Sequence, residues 1–182
     1  MDSPHLPTAR VVTAEPPRAI VKKAILLAAG VGDRLQPFTQ EFPKCLVPVN
    51  GVPIIVNALT HLSAVGVTEA VIVVGHHKEK LYERFGDTFE DMKITYIESK
   101  DFASTNNIYS LWLARDHLDE DVFLLEADVF FESALLEKML EHESGSLAAV
   151  SQHQPWMSGA VVSLSKSGNI QALMDAREQG PD

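Results

Sequence analysis

Residues 26–49 read LLAAGVGDRLQPFTQEFPKCLVPV, and their reading decides the fold. The apolar run from Lys22 to Ala29 follows charge and stops at glycine, the mark of a buried strand. Gly30 and Gly32 then permit backbone angles and a close approach that other residues forbid. Backbone N–H groups exposed in such a loop can cradle phosphate oxygens. Two familiar phosphate loops fail here. Leu35 stands where a Gly-x-Gly-x-x-Gly fingerprint needs its third glycine, which argues against a dinucleotide-binding oxidoreductase domain. No Gly-Lys-Ser/Thr follows for a Walker loop. Pro37, Pro43 and Pro48 predict a segment that stays extended and forms no helix. Arg34 can fork onto two phosphate oxygens, while Lys44 is a compact point charge. Together they suit a polyphosphate whose charge grows during transfer.

Outward from this stretch, strands alternate with helices. Pro53 to Gly66 begins with proline and ends with glycine, as helices do, with Ile55, Leu59 and Leu62 as its stripe. Glu69 to Gly75 is a second buried strand, Lys78 to Phe85 a short helix and Met92 to Glu98 an alternating strand. Asn106 to Leu118 places Ile108, Leu111, Ala114 and Leu118 at helical spacing. Asp121 to Phe131 reads as a strand with an acidic end, Ser133 to His142 as an amphipathic helix and Ser146 to Gln152 as a strand. Gly159 to Met174 reads as a hairpin turning at Ser167-Gly168. This order predicts a mainly parallel sheet with right-handed crossovers, made mixed by the late hairpin. Ligands of such sheets sit at the carboxyl ends of strands. The Gly30 to Lys44 loop and Asp128 occupy two such ends.

The chain has 182 residues, enough for one domain with a real core, and 46% of them are hydrophobic. Residues 1–21 read as a mobile N-terminal arm without the apolar core of a signal peptide, ahead of a single domain over residues 22–182. No apolar run is long enough to span a bilayer. One cysteine, Cys45, excludes an internal disulfide and a Cys-based zinc cluster and points to a reducing, cytoplasmic setting. The net charge of −10 disfavours nucleic acid, which needs a positive face. Against that field, each cation in a loop becomes informative.

Glu126 and Asp128, two apart on the expected strand, face one side. Magnesium prefers one or two carboxylates together with substrate phosphates. Asn106 and Asn107 stand where a helix begins, so one serves as N-cap, and an amide left free at a pocket rim could read a base or ribose edge. His76 and His77, as strand neighbours, point apart, which suits a polar strand end near a base better than a metal pair. Lys78 or Lys80 either adds local positive charge or opens a solvated helix. Trp156 is the best aromatic for an acceptor pocket. No other Phe, Tyr or Trp lies beyond residue 131, too few faces for a quaternary-ammonium cage unless Tyr109, Trp112 or a partner subunit contributes.

Leu27, Gly30, Gly32, Arg34, Leu35, Pro37, Thr39, Pro43, Lys44, Leu46 and Pro48 resemble the signature of nucleotidyltransferases that attach a nucleoside monophosphate to a phosphorylated substrate. Residues 106–111, NNIYSL, are similar to a stretch of bacterial phosphocholine cytidylyltransferases and their phosphonate-activating relatives. The resemblance runs from about Lys22 to Met174 and implies a Rossmann-like α/β/α sandwich. It implies that Leu27, Ala28, Ala29, Gly30 and Gly32 line the nucleotide with His76 and Asn106. Arg34 would grip the leaving pyrophosphate, Lys44 steady the transferring phosphoryl group, and Asn107 and Trp156 meet the acceptor. Asp128 would bind magnesium; many relatives carry aspartate where this chain has Glu126. The implied reaction moves CMP from CTP to a small phosphonate or phosphate monoester. A sugar-1-phosphate nucleotidyltransferase and a catalytically silent nucleotide-binding domain remain as alternatives. Relatives continue past the hairpin to a further helix and a second metal-binding aspartate. The expectation is therefore a domain cut from a longer, even bifunctional, polypeptide, or one lacking those last elements. A homo-oligomer remains open.

Overall fold

The structure, a computed structural model, describes residues 20–142, 145–152, 154 and 160–175. Most of the expected N-terminal arm, and Trp156, lie outside the described residues. The chain divides into two compact units, Met1–Gly145 and Ser146–Asp182.

The first unit carries β1 (Lys23–Ala28), β2 (Pro48–Val49), β3 (Val52–Pro53), α1 (Ile54–Ala64), β4 (Glu69–Val74) and α2 (Lys78–Phe85). It continues with β5 (Thr88–Phe89), β6 (Met92–Glu98), α3 (Asn107–Leu113), β7 (Val122–Glu126) and α4 (Ala134–Leu140). Five strands form one sheet in the order β5-β6-β4-β1-β7. β1 lies parallel to β4 and β7, and β4 parallel to β6. β5 is the antiparallel member, paired with β6. The sheet is mixed as expected, but through β5. The late hairpin, β8 (Ala160–Leu164) and β9 (Ile170–Asp175), forms a two-stranded sheet of its own in the second unit. The strand expected over residues 146–152 is absent. Those residues are exposed and irregular, and an apolar run without a neighbouring strand has no ladder to join.

The residues of β1 sort by parity. Ala24, Leu26 and Ala28 pack against Ile55, Leu59 and Leu62 of α1 and Leu81 of α2. Ile25, Leu27 and Ala29 face the other way, toward Leu111 and Ala114 at α3. Both faces of the strand are covered, which explains its continuous apolar run. Leu26, Ile55, Leu59 and Leu62 are fully buried, and each contributes about 2 kcal/mol by leaving water. The result is a three-layer α/β/α arrangement with β1 as a fixed backstop.

From β1 the chain crosses to β4 and then β6, and returns through α3 to β7 on the opposite side of β1. Connections thus leave β1 in opposite directions, and a crevice opens at the carboxyl ends of β1 and β7.

Two local expectations change. The proline-spaced loop is not extended. It coils into three short 3-10 turns, Asp33–Leu35, Phe38–Gln40 and Lys44–Leu46. Proline forbids an α-helix interior, but its fixed φ suits the start of a tight turn, and Pro37 opens the second one with φ −84° and ψ −4°. The helix expected through Leu118 stops at Leu113 and gives way to a 3-10 turn, Arg115–His117. Ser110 and Ala114 are buried, whereas Ile108 is 73% exposed and Leu118 is exposed. Two turns of helix cover one patch of sheet, and the ends of the predicted stripe fall outside it.

Candidate active site

A cleft of about 360 Å³ opens at the crevice. Leu27 and Ala28 of β1 form its back, and Gly30, Gly32, Asp33 and Arg34 line one side. Lys44 and Cys45 enter from the third turn of the same loop, and Asn107, Glu126, Ala127 and Asp128 form the facing wall.

Glycine is required at position 32 for two reasons. Its φ is +75°, in the left-handed region. A Cβ there would also stand 3.0 Å from both Lys44 Cβ and Thr39 Cγ2. The bare backbone of Gly32 therefore lets Lys44 reach the cleft. Buried Thr39 donates its hydroxyl to the Gly32 carbonyl at 3.0 Å and fixes the turn. Lys44 follows buried Pro43 and forms an ion pair with Asp128, 84 residues away. Arg34 is exposed on the cleft and has no carboxylate partner among the described residues. Cys45 packs as expected: burial pushes its thiol up to about 12, so it is no nucleophile.

The acidic wall is built differently from its expected form. β7 ends at Glu126, so Glu126 and Asp128 are not strand alternates. The turn after β7, where the Val129 N–H meets the Glu126 carbonyl at 3.4 Å, brings both to the cleft. Glu126 holds its proton more tightly than an ordinary glutamate. Loss of water is the main cause and the charge of Asp128 the next, opposed by Asn107 and Lys44. The Asn107 amide donates to Glu126 Oε2 at 2.7 Å, so that side chain belongs to the acidic wall.

Asn106 acts as the N-cap of α3, its Oδ1 accepting from the Ile108 N–H at 3.1 Å. It does not line the cleft, nor do Ala29 and His76. His76 and His77 do not point apart. They follow the end of β4, with ring centroids 3.9 Å apart and both rings turned onto the glycine loop.

Sequence reasoning passed over Asn57. This buried residue of α1 donates to the Phe131 carbonyl and accepts from the Phe131 N–H, both at 3.1 Å. It thereby imitates a strand partner for the segment that follows Asp128. His61, one turn on, receives the same amide at 2.9 Å, and its ring lies 5.7 Å from that of Phe131. The available signal was an asparagine within the apolar stripe of a helix.

A doubly wound sheet with a glycine loop and an acidic turn at its switch point is an α/β domain with its cleft where such sheets hold their ligands. The MobA-like NTP transferase domain family matches residues 24–180, and the chain belongs to that family. It is 43% identical over 163 residues to the CMP-5'-(3-aminopropyl)phosphonate synthase of Streptomyces rubellomurinus, covering 90% of this chain and 26% of that one. It is 34% identical over 113 residues to the UTP--glucose-1-phosphate uridylyltransferase AglF of Haloferax volcanii, covering 62% of this chain and 46% of that one. The solved CTP:phosphocholine cytidylyltransferase of Streptococcus pneumoniae superposes with a TM-score of 0.61 at 25% identity, over 86% of this chain and 65% of that one. The chain thus spans from about a quarter to under two thirds of these relatives. No helix among the described residues is long and apolar enough to cross a membrane.

Proposed function

We propose that the chain transfers CMP from CTP to a small phosphonate or phosphate monoester, with magnesium, and releases pyrophosphate. The acceptor is of the 2-hydroxyethylphosphonate, 2-aminoethylphosphonate or phosphocholine type. One observation carries the reading: two cations of a glycine loop face two carboxylates across a cleft at the carboxyl ends of β1 and β7. The likeness to a CMP-phosphonate synthase and a phosphocholine cytidylyltransferase supports CTP and this acceptor class.

In this reading the acceptor's phosphonate or phosphate oxygen attacks the α-phosphorus of CTP in line. A new P–O bond forms, the bond to the bridging oxygen of the β-phosphate breaks, and pyrophosphate leaves. The attacking oxygen is already anionic, so no general base is needed. Catalysis is then positioning and charge neutralisation. Leu27, Ala28 and the backbone at Gly30 and Gly32 receive the nucleotide. Arg34 holds the departing pyrophosphate, and Lys44 spans Asp128 and the phosphoryl group in transfer.

The acidic wall fits magnesium by its chemistry. Its donors are all oxygen, and Glu126, short of water, stands beside the charge of Asp128. No group of three or more His, Cys, Asp or Glu suited to a metal occurs among the described residues. Asp128, with Glu126 beside it, would therefore hold the ion together with substrate phosphates, as magnesium prefers. When bound, it supplies positive charge against the triphosphate. His76 and Asn106 act at a distance, through the loop and the helix cap. Trp156 remains the candidate acceptor aromatic. The domain works in the cytoplasm, as a piece of a longer enzyme or in a homo-oligomer, on small molecules rather than nucleic acid or membrane.

The test is pyrophosphate release from CTP, ATP, GTP, UTP and dTTP against phosphonates, phosphocholine and sugar 1-phosphates. Release with CTP and a phosphonate or phosphocholine sustains the proposal. A second reading, a sugar-1-phosphate nucleotidyltransferase, rests on the likeness to the uridylyltransferase. Release only with UTP and a sugar phosphate selects it. Binding of CTP with no release under any pairing leaves a silent nucleotide-binding domain.

A further inference from the structure

We propose that His76 and His77 are positioning residues that clasp the glycine loop, residues 29–40, into the shape that receives the nucleotide; the clasp rests on the nucleotide reading of that loop. Four bonds close it. The His76 N–H donates to the Ala29 carbonyl at 3.2 Å, where the loop begins. The His76 ring meets the Thr39 carbonyl at 3.3 Å through Nε2, and the His77 ring meets the Gln40 carbonyl at 2.9 Å through Nε2. Thr39 in turn donates to the Gly32 carbonyl. Carbonyl oxygens only accept, so both rings donate through Nε2–H. The two histidines thereby tie the start of the loop to its far end. The line of contact then runs from Thr39 to Gly32 and from Gly32 to Lys44.

Three surrounding features hold the clasp. Gly75 lets β4 come within touching distance of β1, since a Cβ there would meet the Ala29 carbonyl and Phe102 at 2.7 Å. His77 has φ +51°, in the left-handed region that favours glycine. Glycine would serve that backbone more easily, and what histidine adds is the ring on Gln40. On α2, Lys80 lies 5.9 Å from the Phe42 ring, a further tie between this end of β4 and the loop. Neither histidine lines the cleft, so both act through the loop.

Four variants test the clasp: His76→Phe and His77→Phe, which keep a ring and lose the donor, His77→Gln, which keeps an amide donor, and His77→Gly, which keeps the backbone conformation. In the free protein, amide hydrogen exchange over residues 31–42 should accelerate about tenfold for each lost bond. Exchange in β1 and β4, and the thermal midpoint of His77→Gly, should stay at wild-type values. The KM for CTP should rise by about the same factor with kcat nearly unchanged, and His77→Gln should recover part of both effects. Wild-type exchange over residues 31–42 in both Phe variants overturns the clasp. So does acceleration spread across the whole sheet. Faster loop exchange in a protein whose wild type turns over no nucleotide upholds the clasp and defeats the enzymatic reading, so the two failures are distinct.

Discussion

The two walls of the cleft are held in place on different plans. The glycine loop is tied by its near neighbours: Thr39 bonds Gly32 seven residues back, and the histidines reach it from the adjacent strand end. The acidic turn is pinned by Asn57, 74 residues earlier in the chain and on another layer. One wall is therefore held from within its own stretch and by the adjoining strand end, and the other by a helix of another layer. Among the described residues, the ion pair of Lys44 with Asp128 links them directly. Three substitutions probe one wall or the link, and a fourth asks what the acidic wall costs.

Lys44→Ala cuts the link and has the largest expected effect. It removes a cation from the transfer site, and loss of one preorganised charge-stabilising group slows turnover by about 10²–10³-fold. The fold should survive, because the lysine is only partly buried and its partner is a half-exposed aspartate. Circular dichroism and pyrophosphate release check both halves. Near-normal turnover with the fold intact would show that the walls work without their link.

Asn57→Ala attacks the acidic wall alone. The Phe131 N–H and carbonyl lose their partners, and such a loss costs about 2–4 kcal/mol for two groups. Urea unfolding measures the loss, and hydrogen exchange should quicken at residues 127–131 and not at 31–42. Equal acceleration at both loops would mean the two walls are one unit. Gly32→Ala is the counterpart in the other wall. A left-handed alanine costs about 1–2 kcal/mol, and its Cβ would press on Lys44 Cβ at 3.0 Å. Turnover should fall with little change at the acidic turn. Wild-type activity would show that Lys44 does not depend on the bare backbone beneath it.

The same contrast explains how much could be read from the sequence. The glycine loop was legible because its Gly, Arg, Pro and Lys residues lie within one stretch, as were the helices and strands that follow 3.6- and 2-residue periods. The 3-10 turns were not, since proline reports where an α-helix stops and not what replaces it. Asp128 was legible as an acidic strand end, but its meeting with Glu126 depends on a turn, not on the pleat. Asn57 was missed because nothing near it in sequence names Phe131. Strand alternation makes the histidine pair diverge only if it is extended three residues past the end of β4. Once Gly75 intervenes, both rings swing to the loop.

The smallest expected effect comes from the acidic wall and has the opposite sign. Glu126 keeps its proton above its ordinary value of 4.5 because it loses water and faces Asp128. In the unfolded chain it ionises first, so folding binds the extra proton. Stability therefore falls as pH rises from about 4.5 through the raised folded value, and the cost persists above it. Glu126→Gln removes that cost while its carbonyl can still accept from Asn107. The variant should be more stable than wild type at about pH 7 and indistinguishable at about pH 4, by less than about 1 kcal/mol because solvent still screens a partly covered carboxylate. Urea unfolding without added metal, at both pH values, decides it. A more stable wild type at neutral pH would mean that Asn107 and Lys44 over-compensate the glutamate. The acidic wall would then be satisfied before any cation arrives, and the charge argument for a metal there would fall.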